Sequence, residues 1–197
     1  LIGQFRKMFS DDLILRKELL ELIGTSFDNI LEEAVYKIKE TILSGNCLFF
    51  AGNGGSAAEA QHMSAEYLAT LNHKNFRRGF KSIALTTDTS FITAWTNDFG
   101  YEKVFRRQIE TLGAENDTFF AYSTSGTSKN IISAIECARE KNIKVLGFSG
   151  NDGGKMKEIC DLCFIVPSSK TALIQELHTM LGHEICKRVE KEIVFNE

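Results

Sequence analysis

The stretch Cys47-Leu48-Phe49-Phe50-Ala51-Gly52-Asn53-Gly54-Gly55-Ser56 constrains this chain more than any other. A short apolar run, of a length suited to a buried strand, leads into a glycine-rich turn. From Ala57 to about Leu71 there is then no Gly or Pro, the pattern of a helix. Strand, glycine turn and helix together aim backbone N–H groups at an anion. The glycines permit a sharp turn and a close approach, and the helix N-terminus adds its positive dipole end. His62 and Glu66 stand four apart on that helix and therefore share a face just beyond the turn. A phosphate cradle flanked by an imidazole and a carboxylate is an active-site arrangement.

From Cys47 onward the pattern alternates. Strands are predicted at Cys47–Ala51, Ser82–Leu85, Thr118–Tyr122, Lys144–Phe148 and Leu162–Val166. Between them helices are predicted at Ala57–Leu71, Ser90–Asn97, Phe105–Leu112, Lys129–Lys141 and around Lys155–Ile159, with a final helix from about Ser169 to Glu192. This order implies an α/β fold, a doubly wound, mostly parallel five-stranded sheet flanked by helices. Two further helices are predicted before the first strand, within about residues 1–45. Gly24-Thr25-Ser26 should separate them, with Thr25 or Ser26 capping the second. In that second helix Phe27, Ile30, Leu31, Ala34, Val35, Ile38 and Ile42 form an apolar stripe, which Gly45 ends. The stripe could cover the sheet or pack against another subunit. No internal repeat or linker divides the 197 residues, so one domain over 1–197 is expected.

A net charge of −3 gives no electrostatic case for nucleic acid or an anionic membrane. The first residues lack the apolar core of a signal peptide, and no run approaches the roughly 20 apolar residues of a membrane span. A soluble, cytoplasmic protein is the expectation. Five cysteines, an odd number scattered through strands and helices, do not make a disulfide framework. Cys160-Asp161-Leu162-Cys163 lacks the second pair a zinc site would need, and it precedes a strand rather than a strand-to-helix turn. Small buried thiols are the simpler reading.

In a parallel sheet the loops after the strands share one edge, where ligands bind. Here those loops are Gly52–Ser56, Thr86-Thr87-Asp88-Thr89-Ser90, Ser123-Thr124-Ser125-Gly126-Thr127-Ser128 and Ser149-Gly150-Asn151-Asp152-Gly153-Gly154. Many neutral hydroxyl and N–H donors at one edge suit a phosphate. An ordinary Ser/Thr-rich helix cap is the plainer reading of the Ser123–Ser128 loop. Gly52-x-Gly54-x-x-Ala57 is also a loose dinucleotide pattern, but Asp88 lies too far along to be its ribose-binding acid. No G-x-x-x-x-G-K-[ST] occurs, so no nucleotide cofactor is expected. The last helix carries Gln175-Glu176-x-His178 and His183 on an otherwise apolar segment. Gln175 and His183 are eight apart, roughly 12 Å along an axis. One metal takes both only if their side chains converge or a neighbouring subunit contributes. Two His, a Glu and a Gln would suit a divalent ion such as zinc.

Taken together these motifs resemble those of the bacterial phosphoheptose isomerases, members of the sugar-isomerase (SIS) domain family. The resemblance rests on Ala51–Ala58 with Ala60-Gln61-His62 and Glu66, on Ala84–Ser90 and Asn97-Asp98-Phe99-Gly100, on Ser123-Thr124-Ser125-Gly126 with Ser128, and on Ile174-Gln175-Glu176 with His178 and His183. It runs in order from about Gly45 to Glu192. It implies a single SIS domain that interconverts sedoheptulose 7-phosphate and D-glycero-D-manno-heptose 7-phosphate through an enediol, for the heptose of lipopolysaccharide or capsule. It further implies a homotetramer built with the N-terminal helices. One zinc per subunit would be held by His62, Glu66, Gln175 and His183, with Glu66 and His183 as the catalytic acid/base pair. Asn53, Gly54, Gly55, Ser56, Glu66, Asn97, Asp98, Ser123, Thr124, Ser125, Ser128 and Gln175 would contact substrate.

The residue types fit that chemistry, because moving a carbonyl from C2 to C1 needs one group for the carbon-bound proton and another for the oxygens. Two positions depart from the family pattern. Thr70 stands where an Arg usually follows the catalytic Glu by four, and Leu173 stands where Arg-Ile-Gln-Glu is usual. Both remove a cation and bear on the choice of phosphosugar. The same motifs leave room for an isomerase of another phosphosugar, and for a non-catalytic SIS protein that binds another protein. Glu66 argues against the latter, since the regulator of that kind lacks the helix carboxylate.

Overall fold

The computed structural model describes the backbone of residues 2–74 and 76–194, and side chains from residue 9 onward within those ranges except residue 25. Two helices come first, α1 (Ile2–Ser26) and α2 (Asp28–Leu43). The alternating part follows as β1 (Leu48–Ala51), α3 (Gly55–Leu68), β2 (Ser82–Ala84), α4 (Thr89–Phe99), a 3-10 turn (Tyr101–Lys103) and α5 (Val104–Leu112). It continues with β3 (Thr118–Ser123), α6 (Lys129–Glu140), β4 (Lys144–Gly150), α7 (Met156–Ile159), β5 (Leu162–Val166) and α8 (Thr171–Val194). The sheet order is β2-β1-β3-β4-β5, and every neighbouring pair is parallel. The expected mostly parallel sheet is thus wholly parallel among the described residues.

Period-two alternation divides the core between the two faces. Leu48, Phe50, Phe120, Tyr122, Leu146, Phe148 and Phe164 meet α2, α3 and α8 on one face. Phe49, Ala51, Phe119, Ala121 and Val145 meet α5, α6 and Met156 of α7 on the other. With both faces covered, the central strands read as continuous apolar runs rather than alternating ones. Aromatic rings run across the first face, Phe50 stacked on Phe120 at 4.3 Å and Phe148 on Phe164 at 5.0 Å between centroids.

The N-terminal helices break later than the sequence predicts. Helix α1 continues through Gly24, and the junction falls at Phe27, whose N–H still donates to Ile23 O (3.1 Å). A helical glycine costs about 1 kcal/mol relative to alanine. Here Leu19 and Ile23, in the turn just before Gly24, are buried against Val166, Leu173, Ile174 and Leu177, and that packing outweighs the cost. Ser26 does not cap α2; its Oγ turns back to Leu22 O and Ile23 O, both at 3.2 Å. The side chain of Thr25, the other cap expected, lies outside the described residues. Gly45 ends α2 as expected, with φ +75°.

Helix α3 also ends sooner than the predicted Leu71. Beyond Leu68 the chain leaves the helix, and the buried guanidinium of Arg77 donates to Glu66 O (2.9 Å) and Tyr67 O (3.0 Å), two of the carbonyls freed at its C-terminus. No helix among the described residues is long and apolar enough to cross a membrane.

Candidate active site

The order β2-β1-β3 places the chain's reversal of direction between β1 and β3, and in such sheets the ligand crevice opens there. The loop after β1 and the loop after β3 form its two walls, and Thr171 and Gln175 of α8 close it. The resulting crevice of about 320 Å³ brings together Asn53, Gly54, Gly55 and Ser56 from the first loop with Ser123, Thr124 and Ser128 from the second. Neither wall contains a lysine or arginine among its lining residues, so any anion there is held by neutral donors. Gly54 makes the turn at φ +56°, a region open to glycine. Gly55 has a different reason: a Cβ there would lie 2.6 Å from Gln175 Oε1, so its bareness makes room for the amide.

Both helices that begin at the crevice, α3 and α6, lack a side-chain cap. Ser128 occupies the cap position of α6, yet its hydroxyl bonds Ser123 Oγ (2.8 Å) instead. Ser125 accepts from Thr127 N–H (3.3 Å) and Thr127 Oγ1 (3.0 Å) and lies 3.4 Å from Ser123 Oγ. The plain helix-cap reading therefore fails for Ser128. It holds for the loop after β2, where Asp88 caps α4 through Phe91 N–H (2.9 Å). The segment after β4 braces the Ser123–Ser128 loop from behind, with Met156 N–H at the start of α7 donating to Gly126 O (3.1 Å). Of the four loops at this edge, only those after β1 and β3 line the crevice among the described residues.

Helices α3 and α8 run side by side in the same direction, in a nearly constant register. Gln175 lies 119 positions after its neighbour Ser56, and His183 lies 121 after its neighbour His62. Gly182 permits the close approach at the histidine end, since a Cβ there would lie 2.8 Å from Met63 Sδ. The register brings His62, Glu66 and His183 together, their ligand atoms all within 4.8 Å of one another. His62 Nε2 is 2.7 Å from His183 Nε2 and 3.7 Å from Glu66 Oε1. Two imidazole nitrogens and a carboxylate oxygen converging on one point fit a zinc ion in donor type and number. Gln175 lies at the other end of the register, its Nε2 3.4 Å from Ser56 Oγ. His62 is seven residues beyond Gly55, so the three side chains stand roughly 10 Å along the helix from the crevice.

Asn97 and Asp98 are expected substrate contacts that do not line the crevice. They bond to each other (2.8 Å) at the exposed end of α4. Glu176 faces away from the site, paired with Arg16 of α1 through two hydrogen bonds (2.7 and 2.8 Å). His178 is wholly buried; its Nε2 donates to Ser149 O (2.9 Å), and its Nδ1 lies 3.9 Å from Glu59 Oε2. Burial lowers the His178 pKa to about 4 and raises the Glu59 carboxyl to about 9, so both are neutral near pH 7.

The sequence reading missed Glu59, Tyr122, Thr171 and the partners of Asn53, namely Asn130 and Tyr101. Asn130 carried a signal, a polar residue in the first turn of the helix that follows the Ser/Thr loop. Tyr101 did not, since only the fold brings it near. Cys160 and Cys163 are free thiols, as the simpler reading has it, but half-buried rather than buried.

The SIS-domain family profile matches residues 15–150. A phosphoheptose isomerase of Aliarcobacter butzleri is 43% identical over 182 residues, covering 92% of this chain and 95% of its own. One from Aneurinibacillus thermoaerophilus is 45% identical over 185 residues, covering 94% and 88%. The solved phosphoheptose isomerase of Neisseria gonorrhoeae superposes with a TM-score of 0.89 at 31% identity, covering 95% of this chain and 99% of that one. The chain belongs to the phosphoheptose isomerase family of SIS-domain proteins.

Within this SIS domain the two departures from the family pattern have definite fates. Thr70 donates to Glu190 Oε1 (3.2 Å), and Glu190 also accepts from Leu71 N–H (2.8 Å) and from buried Arg77 (2.7 Å). The Arg77 guanidinium is thus engaged with Glu190, which fixes the chain at Thr70–Asn72. Leu173 is buried in the apolar contact between α8 and α1. Neither position supplies charge to the crevice of this phosphosugar isomerase.

Proposed function

We propose that this isomerase converts sedoheptulose 7-phosphate to D-glycero-D-manno-heptose 7-phosphate, as its relatives' name implies, for lipopolysaccharide or capsule heptose. The observation that carries the reading is the α3/α8 register. It sets a neutral-donor crevice at one end and the Glu66/His183 pair at the other, about the reach of an extended sugar phosphate.

The phosphate would sit at the uncapped starts of α3 and α6, against Gly54, Gly55, Ser123, Thr124, Ser125 and Ser128. Asn53, Ser56 and Gln175 would orient the sugar chain. Glu66 would take the proton from C1 as the C2 carbonyl becomes a hydroxyl, giving the enediol. Return of that proton to C2, with His183 moving a proton between the two oxygens, leaves the aldehyde at C1. His62, Glu66 and His183 would hold one zinc ion per subunit; Gln175, which within one chain stands at the crevice end of the register against Ser56, would join them only from a neighbouring subunit. When bound, the zinc would supply Lewis-acid stabilisation of oxygen charge. No other cofactor is needed for an internal redox exchange of this kind.

The chain would be one SIS domain over 1–197, cytoplasmic, and a homotetramer. In favour of assembly, α4 has no buried residue, although Phe91, Trp95 and Phe99 line up along it. Leu20 and Leu22 of α1 are exposed, and an apolar cavity of about 550 Å³ between α1, α2 and α8 reaches His183. Neighbouring subunits covering these surfaces could also bring Asn97 and Asp98 to a site. Exchange of the C1 hydrogen of sedoheptulose 7-phosphate in deuterated water tests the reading. Exchange with formation of the aldose supports it. Exchange with another phosphoketose alone would reassign the substrate, and none with any would favour a binding protein.

A further inference from the structure

Asn53 is locked to the opposite wall of the crevice by two residues that do not line it. Asn130, in the first turn of α6, is 4% exposed. The backbone N–H of Ile131 donates to Asn130 Oδ1 (3.0 Å), which fixes which end of that amide is oxygen. The remaining assignments follow. Asn53 Nδ2 donates to Asn130 Oδ1 (2.9 Å), and Asn130 Nδ2 donates back to Asn53 Oδ1 (2.8 Å). Tyr101, from the 3-10 turn after α4, then has only an acceptor before it and donates its hydroxyl to the same Oδ1 (2.8 Å).

The pair spans the switch point of the sheet. Asn53 belongs to the turn after β1, and Asn130 to the helix after β3, 77 positions away. Two reciprocal bonds between amides, one of them buried, set the separation of the two walls and hence of the two helix N-termini. Tyr101 ties a third loop to the same atom. With both lone pairs of its oxygen taken, Asn53 has one N–H left for a ligand and nothing with which to accept.

We infer that Asn130 and Tyr101 are positioning residues that present Asn53 to the substrate as a hydrogen-bond donor only, so that the ligand atom facing it is an acceptor oxygen. The inference rests on the isomerase reading for its kinetic consequence, and on the hydrogen bonds alone for its structural one.

The test uses Tyr101→Phe, Asn130→Asp and Asn53→Ala in the full chain. Tyr101→Phe removes one donor from a half-exposed ring. Asn130→Asp still accepts from Ile131 and Asn53 but cannot donate back. Losing one such bond should raise KM for the phosphosugar about five- to tenfold while kcat changes less than about threefold, because the atoms that move protons are untouched. In an Asn53→Ala background Tyr101→Phe should have no further effect, which a general loss of stability would not produce. Additive effects, or a fall in kcat alone, would overturn the inference.

A second measurement stands apart from turnover. The side-chain amide NMR signals of Asn53, read without substrate, should move in both Tyr101→Phe and Asn130→Asp. Unmoved signals overturn the clasp even in an active enzyme. Moved signals in a protein that isomerises no phosphosugar would keep the clasp and refute the functional reading instead.

Discussion

His62 Nε2 and His183 Nε2 lie 2.7 Å apart, brought together by two parallel helices although they are 121 positions apart in the sequence. Two neutral imidazoles at that separation can share one proton at most, whereas two lone pairs and the Glu66 carboxylate suit a cation. Zinc should therefore co-purify near one per subunit, and His183→Gln should lower that content sharply. Chelation should lower Tm by about 5–10 °C relative to zinc at a hundredfold over its Kd. A protein that retains no divalent metal after growth and purification with zinc present would refute the site.

Glu66→Gln keeps the shape and the backbone bond to Arg77 but cannot take a proton. Its kcat should fall about 10²–10⁴-fold, with the fold unchanged by circular dichroism. His183→Gln should do likewise, and the double variant should be little worse than either, since both groups serve one transition state. Wild-type rates of C1 hydrogen exchange in Glu66→Gln would remove it as the base.

Phosphate contacts grip ground and transition states alike. Ser128 and Ser125 both lean on Ser123, so the pair forms one hydroxyl cluster. Ser125→Ala/Ser128→Ala should raise KM about tenfold or more with kcat largely kept. An unchanged KM would mean that the phosphate binds elsewhere.

The neutral Glu59/His178 pair gives the fold a pH signature. The Glu59 carboxyl is raised to about 9 in the folded chain, so between its unfolded value and 9 the unfolded state binds fewer protons and stability falls as pH rises. His178, lowered to about 4, works the other way, its contribution rising from pH 4 to the unfolded value near 6.5. The two oppose each other below pH 6.5, and above it only the Glu59 loss remains. Denaturant-unfolding stability should decline between pH 6.5 and 9, by at most about 1.4 kcal/mol per unit. Glu59→Gln should flatten that decline; an identical slope in the variant would show that the titration lies elsewhere.

Phe99 at the end of α4 and Leu20 and Leu22 of α1 are exposed apolar side chains, which the proposed tetramer would cover. Light scattering at micromolar concentration should give four times the chain mass, in dihedral symmetry. A monomer would leave Asn97 and Asp98 without a site to serve.

The local signals needed little context. Apolar runs of strand length, the glycine turn and the hydroxyl loops fixed the order of elements to within a few residues, because they depend on neighbours in the chain. The proximity of His62 to Glu66 was likewise legible, since four residues make one helical turn. Other features depended on long-range packing. Burial of Ile23 and Leu19 kept α1 helical through Gly24, against the local preference. The roughly 12 Å between Gln175 and His183 was an obstacle to one shared ligand set, and the α3/α8 register keeps them apart, Gln175 at the crevice and His183 beside His62 and Glu66. Asn53 was expected, from the family resemblance, as a substrate contact. Only the meeting of β1 and β3 with the chain from Tyr101 decided that its oxygen is already taken. Sequence determined which groups are available, since chemistry resides in the side chains. Tertiary structure decided which are engaged, since buried amides and carboxyls must find partners that can be a hundred residues away.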